Sequence, residues 1–172
     1  MSKLSINNHP SLLIRFANES DCDLILYFIK ALAIYEKMLD MVVATKEDIY
    51  QSLFVNKSAE VILAYEDKNP VGFALFYTTY STFLGKPSLF LEDMFIEEPY
   101  RNKGYGRQIF SYLAKIAISR NYPRIDWLCL DWNQKSIDFY QSIGAKKLDH
   151  WKVFRLHDQK ITDLADTSIQ ND

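Results

Sequence analysis

The sequence predicts a single mixed α/β domain over residues 1–172. Strand-like and helix-like segments alternate along the chain, and no internal repeat, low-complexity segment or interior linker separates them. The length of 172 residues is enough for one hydrophobic core without disulfides or metals. A composition of 48% hydrophobic and 24% charged residues is typical of globular proteins, and a polar tail that frays is predicted from about residue 158.

The strands are predicted from runs rich in β-branched and aromatic residues. A polar turn at 66–70 separates two such runs and indicates a hairpin. Two short runs after the last predicted helix complete the sheet. The predicted strands lie at 11–16, 61–65, 71–80, 89–96, 125–131, 145–148 and 152–156.

The helices are predicted from apolar periodicity and capping residues. Polar residues at 18–21 precede a first helix whose apolar positions form one face: Leu24, Ile25, Phe28, Ile29, Leu32 and Ala33. Thr45 followed by Asp48 resembles a capping box for a shorter helix to about residue 54. A long helix at 105–120 carries its core face at Ile109, Phe110, Leu113, Ala114 and Ala117.

Charge and composition exclude several classes of protein. The net charge of −2 gives no overall basic field for nucleic acid, and no run approaches the roughly 18 apolar residues of a membrane span. We therefore expect a cytoplasmic protein with no membrane or nucleic-acid partner. Cys22 and Cys129 are expected to be reduced, and His9, His150 and His157 have no metal-ligand spacing, so no metal is expected.

One loop lies between the strand at 89–96 and the helix at 105–120, and it consists of Arg101, Asn102, Lys103, Gly104, Tyr105 and Gly106. A strand that turns through two glycines into a helix presents backbone N–H groups that bind phosphate oxygens, and Arg107 adds charge. The spacing fits neither a P-loop nor a dinucleotide-binding fingerprint. Two such glycines also occur in ordinary turns, so these six residues alone leave both interpretations open.

The pattern Arg-x-x-Gly-x-Gly resembles the acetyl-coenzyme A signature of the GNAT superfamily of N-acetyltransferases. The similarity extends over about 11–156 to the spermidine/spermine (diamine) acetyltransferase branch, including its thialysine-acetylating relatives. It rests on residues 33–36, 72–74, 91–96 and 100–101 and on Trp132, Asn133, Gln134, Ser136, Phe139, Tyr140, Gly144 and Ala145. The resemblance implies the GNAT fold, with a mixed, mostly antiparallel central sheet flanked by helices. It also implies acetyl-CoA as co-substrate and a homodimer joined through the aromatic C-terminal strands.

Cofactor contacts follow from the resemblance, residue by residue. The loop from Arg101 to Gly106, with Arg107, would hold the pyrophosphate of coenzyme A. Phe95 and Ile96 would pair their backbone with the pantetheine arm while also serving as core strand residues. The remaining predicted cofactor contacts are Asn133, Ser136 and Tyr140.

Tyr140 is the candidate general acid. Asn133 caps a predicted fourth helix that ends at Gly144, and Asn133, Ser136 and Tyr140 at i, i+3 and i+7 share one face of it. A phenol beside the sulfur can protonate the departing thiolate. The alternative for Tyr140 is a packing role near a helix end.

Glu92 is the candidate base, because a protonated amine with a pKa of about 10 must lose a proton before it attacks the thioester. Regular alternation would send Glu92 and Asp93 to opposite faces, so only one should point at the acetyl group. Asp93 is expected to orient substrate or to hold a structural hydrogen bond, and an exposed strand edge is the alternative for both acids. Cys129 has no neighbouring base to form a thiolate, which favours direct transfer in a ternary complex.

The substrate is predicted to be a small primary amine. Predicted substrate contacts are Glu36, Glu92, Asp93, Ser81, Trp132 and Trp151. The segments 81–83 and 149–150 carry fewer acids than the polyamine pattern, and the segments 80–82 and 130–134 look more like the thialysine-acetylating relatives. A diamine, a polyamine and a lysine-like amino acid therefore all stay open, as do an acetyltransferase of protein lysines or N-termini and a non-catalytic acyl-CoA-binding module.

Overall fold

The computed structural model describes residues 12–166, and the chain divides into two compact units between Leu130 and Asp131. The first residue of the predicted strand at 11–16, His9 and the end of the polar tail lie outside the described residues. The first unit contains the sheet and the loop at 101–106, which is called the phosphate loop after its predicted role. The second unit contains the helix of Tyr140.

A five-stranded sheet forms the centre of the first unit, and its strands follow one another in space in chain order. The first four pair antiparallel and the last pairs parallel with its neighbour, which confirms the predicted mixed, mostly antiparallel sheet. The strands are β1 (Leu13–Phe16), β2 (Glu60–Glu66), β3 (Asn69–Ser81), β4 (Lys86–Ile96) and β5 (Ile125–Trp127).

The helices lie close to their predicted positions. Thr45 and Asp48 exchange the two hydrogen bonds of a capping box, Asp48 N to Thr45 Oγ1 at 3.2 Å and Thr45 N to Asp48 Oδ2 at 2.8 Å. The helix behind this cap continues through a π-helical turn at Gln51–Val55. The helices are α1 (Cys22–Glu36), α2 (Lys46–Tyr50), α3 (Tyr105–Ser119), α4 (Gln134–Ser142) and α5 (Gln159–Ala165), and short 3-10 turns lie at Glu19–Asp21, Leu39–Met41 and Glu98–Tyr100.

The core packs α1 and α2 against the sheet and fixes the position of β4. The rings of Phe28 in α1 and Phe73 in β3 stack with centroids 5.5 Å apart, and Phe95 of β4 belongs to the same buried cluster. Gly72 lets β3 approach β4 closely, because a Cβ there would lie 2.5 Å from the Phe95 carbonyl oxygen. The end of β4 that leads toward the phosphate loop is therefore held against β3.

The predicted strands at the C-terminal end are wrong within the described residues. The segments 145–148 and 152–156 form no strand, and the run predicted at 125–131 is ordered as strand only over Ile125–Trp127. A strand needs a paired neighbour and a buried face, yet Trp151 and Phe154 are 74% and 92% exposed. The polar tail predicted to fray instead begins with α5, and dimerisation through this region stays a prediction.

Candidate active site

The loop from Arg101 to Gly106 has the predicted strand, turn and helix geometry. Asn102 and Gly104 adopt left-handed backbone conformations, with φ of 64° and 81°. Gly104 is the N-cap of α3, and the first helical hydrogen bond runs from Gln108 N to Gly104 O at 3.2 Å. The amides of Tyr105 and Gly106 therefore precede the helical hydrogen-bond ladder and point out of the positive end of a 15-residue helix.

The side chain of Arg101 turns into the fold. Its Nε donates to the Ile96 carbonyl oxygen at 2.8 Å, and its guanidinium carbon lies 4.7 Å from the ring centroid of Tyr35 and 5.3 Å from that of Phe95. Arg101 thus ties the loop to β4 and to the end of α1. The Arg101 guanidinium is therefore directed toward Ile96, Tyr35 and Phe95 rather than toward the start of α3.

Arg107 lies on the outer face of α3, beside a groove of about 740 Å³ between this helix and β1. The groove contains two basic side chains and is lined by Leu12, Leu13, Ile14, Gly104, Arg107, Gln108, Ser111, Tyr112 and Lys115. Positive charge therefore extends from the loop along α3.

The edge of β4 that faces β5 is open next to the loop. β5 pairs with β4 only from Leu89 to Leu91, so within the described residues no strand covers this edge from Glu92 to Ile96. Glu97 N donates to Val71 O, which places the backbone groups of Met94 and Ile96 on the open side and those of Phe95 toward β3. For a backbone contact with an extended ligand, the register favours Met94 and Ile96 over Phe95.

Glu92 lies at a β-bulge at the start of this open edge. Leu75 pairs with Asp93 and Phe76 with Leu91, which leaves Glu92 without a partner on β3. The regular alternation assumed for Glu92 and Asp93 is therefore wrong at this point. The hydroxyl of Tyr77, which the sequence reasoning missed, donates to Glu92 Oε2 at 3.3 Å.

Three carboxylates that are predicted to contact the substrate, those of Glu36, Glu92 and Asp93, lie near one another at the bulge. Burial, and to a smaller extent the charges of Glu92 and Glu36, raise the pKa of Asp93 to about 6. Burial also raises the pKa of Glu36, the last residue of α1. This cluster attracts a cation, because a nearby ammonium group would offset the cost of ionising Asp93.

Cys129 lies near the same acids. Partial desolvation, together with the charge of Glu36, raises the pKa of its thiol. A raised pKa disfavours the thiolate that an acyl-enzyme mechanism needs. The raised pKa therefore adds to the lack of a neighbouring base as a second reason why Cys129 is a poor nucleophile.

The substitution Asp93→Asn is expected to change the pH dependence of stability. Because folding raises the pKa of Asp93 to about 6, its favourable contribution is complete below pH 4 and is lost as pH rises through about 6. The wild type loses stability between pH 4.5 and pH 7.5, and the variant lacks this loss. After discounting for solvent screening, we expect the free energy of unfolding of the variant, relative to that of the wild type, to rise by about 1–2 kcal/mol over this range. Urea unfolding at both pH values measures this, with Asp40→Asn in an exposed turn as control; an equal difference at the two pH values would contradict it.

In the second unit, α4 carries the predicted polar face. Asn133 is the N-cap, as predicted, and its Oδ1 accepts a hydrogen bond from Ser136 N at 3.3 Å. Tyr140 lies in the last turn, where its ring centroid is 5.5 Å from that of Phe139. The helix therefore presents Ser136 and Tyr140 one turn apart behind a fixed N-terminus.

The other predicted substrate residues differ in setting. Ser81 is buried at the end of β3, where its hydroxyl accepts from Leu84 N at 3.3 Å and supports the turn into β4. Trp132 and Trp151 are exposed residues of the second unit. Within residues 12–166, no cluster of three or more metal-ligating side chains occurs, and no helix combines the length and apolarity needed to cross a bilayer.

Comparisons with known proteins agree with this geometry. The family model for the acetyltransferase (GNAT) family matches residues 31–145. A thialysine N-epsilon-acetyltransferase from Sus scrofa is 34% identical, over 90% of this chain and 98% of its own length. A human spermidine/spermine N(1)-acetyltransferase-like protein 1 is 35% identical over 88% of this chain, which covers 23% of that protein.

Among solved structures, an integron cassette protein from the mobile metagenome of V. cholerae superposes with a TM-score of 0.75. It is 28% identical and covers 91% of this chain and 99% of its own. The strand–loop–helix geometry, the matched family model and the full-length relatives agree, and the chain therefore belongs to the GNAT family of acetyltransferases as an N-acetyltransferase.

Proposed function

We propose that the chain uses acetyl-CoA to acetylate a primary amine of a small diamine, polyamine or lysine-like substrate, by direct transfer in a ternary complex. The observation that carries the proposal is the open edge of β4, which begins at the acids and ends at the phosphate loop. Four residues of strand span ~13 Å between Glu92 and Ile96. An extended pantetheine arm on this edge would join a thioester near Glu92 to phosphates at the loop.

The donor would be held mainly by backbone groups. The amides of Tyr105 and Gly106 at the start of α3 suit phosphate oxygens, and Arg107 adds positive charge beside them. Met94 and the N–H of Ile96 would supply main-chain contacts to the arm in the manner of an added strand, while the Ile96 carbonyl oxygen already accepts from Arg101 Nε. Gly104 lets the chain enter the helix with a positive φ.

The acceptor amine would be received by the acidic cluster. Glu36 and Asp93 attract the ammonium group, and Glu92 takes its proton directly or through one water. The hydrogen bond from Tyr77 orients the Glu92 carboxylate. The neutral amine then attacks the thioester carbonyl carbon, and the carbon–sulfur bond breaks as Tyr140 supplies a proton to the departing sulfur. The nitrogen loses its second proton to water, and the Tyr140 phenolate regains a proton from water, so one proton per turnover leaves with Glu92.

The class of amine follows from the number of acids and from the relatives. Three carboxylates at the bulge suit one or two cationic groups better than a long polycation. The relatives from pig and human carry the names of thialysine and spermidine/spermine acetyltransferases. Both substrate types present a primary amine on a flexible chain, and the same class is inferred for this protein.

A panel of amines tests the substrate class. Release of the coenzyme A thiol would be followed with putrescine, spermidine, spermine, thialysine, lysine and a lysine-containing peptide. Highest kcat/KM with a small amine is expected. Highest kcat/KM with the peptide would replace the proposal with a protein acetyltransferase, and tight acetyl-CoA binding without any turnover would replace it with a binding module.

A further inference from the structure

Glu66, the last residue of β2, contacts two side chains of the phosphate loop. Its Oε1 forms an ion pair with Lys103 Nζ at 2.9 Å and also accepts a hydrogen bond from the Tyr105 hydroxyl. The partners are 37 and 39 residues away in sequence, so the contact joins the β2–β3 hairpin to the start of α3. Neither the family resemblance nor the spacing of the loop indicated this residue.

The surroundings of the contact make it more than an exposed ion pair. Tyr105 is 1% exposed, and burial together with Glu66 raises its pKa to about 12, so its hydroxyl keeps the proton that it donates. The hydrogen bonds from Tyr105 and Lys103 lower the pKa of Glu66, which therefore stays ionised at neutral pH. The Lys103 ammonium also lies 4.9 Å from the ring centroid of Tyr100.

The side chains of Lys103 and Tyr105 are consequently held on the side of the loop that faces the β2–β3 hairpin. Asn102 and Gly104, which alternate with them, are exposed and have positive φ. With Arg101 tied to Ile96, three alternate side chains anchor the loop from within the fold. This arrangement leaves the loop backbone on the outer side, where the amides that precede α3 are located.

We propose that Glu66 is a positioning residue for the donor site: through Lys103 and Tyr105 it holds the loop in the conformation that binds the phosphates. The inference rests on the proposed use of acetyl-CoA. A purely electrostatic role predicts the opposite sign of effect, because a carboxylate near an anion site weakens binding of the anion. The two roles can therefore be separated by the direction in which donor affinity changes.

The test compares Glu66→Gln with Asp67→Asn, its neighbour in the hairpin turn. Each substitution removes one negative charge, and Asn tolerates the left-handed backbone of Asp67, whose φ is 56°. Because a charge-assisted contact is lost only at Glu66, we expect KM for acetyl-CoA to rise about tenfold in that variant with kcat within about twofold. In Asp67→Asn, KM should stay unchanged or fall.

Tyr105→Phe provides a second variant that keeps the buried ring and removes only the hydroxyl. We expect it to raise KM for acetyl-CoA in the same direction, and to add little when combined with Glu66→Gln, because both act through one contact. Circular dichroism and thermal melting without donor would establish that each variant is folded. Dissociation constants for coenzyme A from calorimetry give the same comparison independently of turnover.

An unchanged or lower KM for acetyl-CoA in Glu66→Gln, or equal effects of Glu66→Gln and Asp67→Asn, would overturn the positioning role. Independent, additive effects of the Glu66 and Tyr105 substitutions would also contradict it. Failure of the wild-type chain to bind coenzyme A would instead overturn the proposed function itself. The wild-type titration therefore distinguishes the two failures.

Discussion

Tyr140→Phe is expected to lower kcat by about 10²- to 10³-fold while KM for acetyl-CoA changes little. The substitution keeps the ring beside Phe139 and removes only the hydroxyl. Without the phenol, the thiolate of coenzyme A must depart without a positioned proton donor. Steady-state thiol release, together with calorimetric binding of acetyl-CoA, measures the two quantities separately.

Tyr50→Phe is the matched control for this substitution. Tyr50 ends α2 and contacts Phe54, with ring centroids 6.4 Å apart, so the variant loses a hydroxyl in a different part of the fold. Its kcat should equal that of the wild type. A large loss of acetyl-CoA affinity in Tyr140→Phe, with kcat unchanged, would exclude Tyr140 as the general acid and leave it a binding role.

Glu92→Gln is expected to reduce kcat/KM for the amine by about 10²-fold near neutral pH, with a loss that shrinks as pH approaches the amine pKa of about 10. The reason is that solvent deprotonates the substrate at high pH and makes the base unnecessary. Glutamine retains an acceptor for the Tyr77 hydroxyl, so the bulge geometry should persist. Rates between about pH 7 and pH 10 measure the effect.

Glu98→Gln serves as the control for lost charge, because Glu98 is an exposed residue of the short turn after β4. It should show the wild-type pH profile. A loss in Glu92→Gln of the same size at every pH would assign Glu92 to binding or folding rather than to proton transfer.

Local sequence signals predicted the helices and the loop well. The Thr45–Asp48 capping box and the Asn133 cap involve residues three positions apart, so the pattern itself contains both partners. The turn into α3 was predictable for the same reason, since Gly104 permits the positive φ that precedes the helix. These features depend on short-range contacts.

Features that depend on distant partners were not predictable in the same way. The bulge at Glu92 exists only because β3 and β4 pair in a register that shifts between Leu75 and Phe76. The contact of Glu66 with the loop crosses 37 residues or more. Neither is encoded in a spacing pattern, because each requires knowing which strands meet and how they align.

The strand prediction for the C-terminal segment was wrong for a further physical reason. Residues 152–156 include the β-branched Val153 and the aromatic Phe154, residue types that are typical of a strand, yet both are exposed in the described chain. Strand propensity reports that a side chain fits a half-buried sheet surface, and such a surface must exist for the strand to form. Residue types alone could not show that this segment has no paired neighbour within residues 12–166.

Direct transfer from acetyl-CoA to the amine is tested most directly by initial rates of thiol release at varied concentrations of both substrates. Intersecting double-reciprocal lines, no thiol release before amine is added, and an unchanged rate in Cys129→Ser are the results expected for a ternary complex. Parallel lines, with a burst of thiol release in the absence of amine that disappears in Cys129→Ser, would contradict it and establish an acetylated Cys129 intermediate.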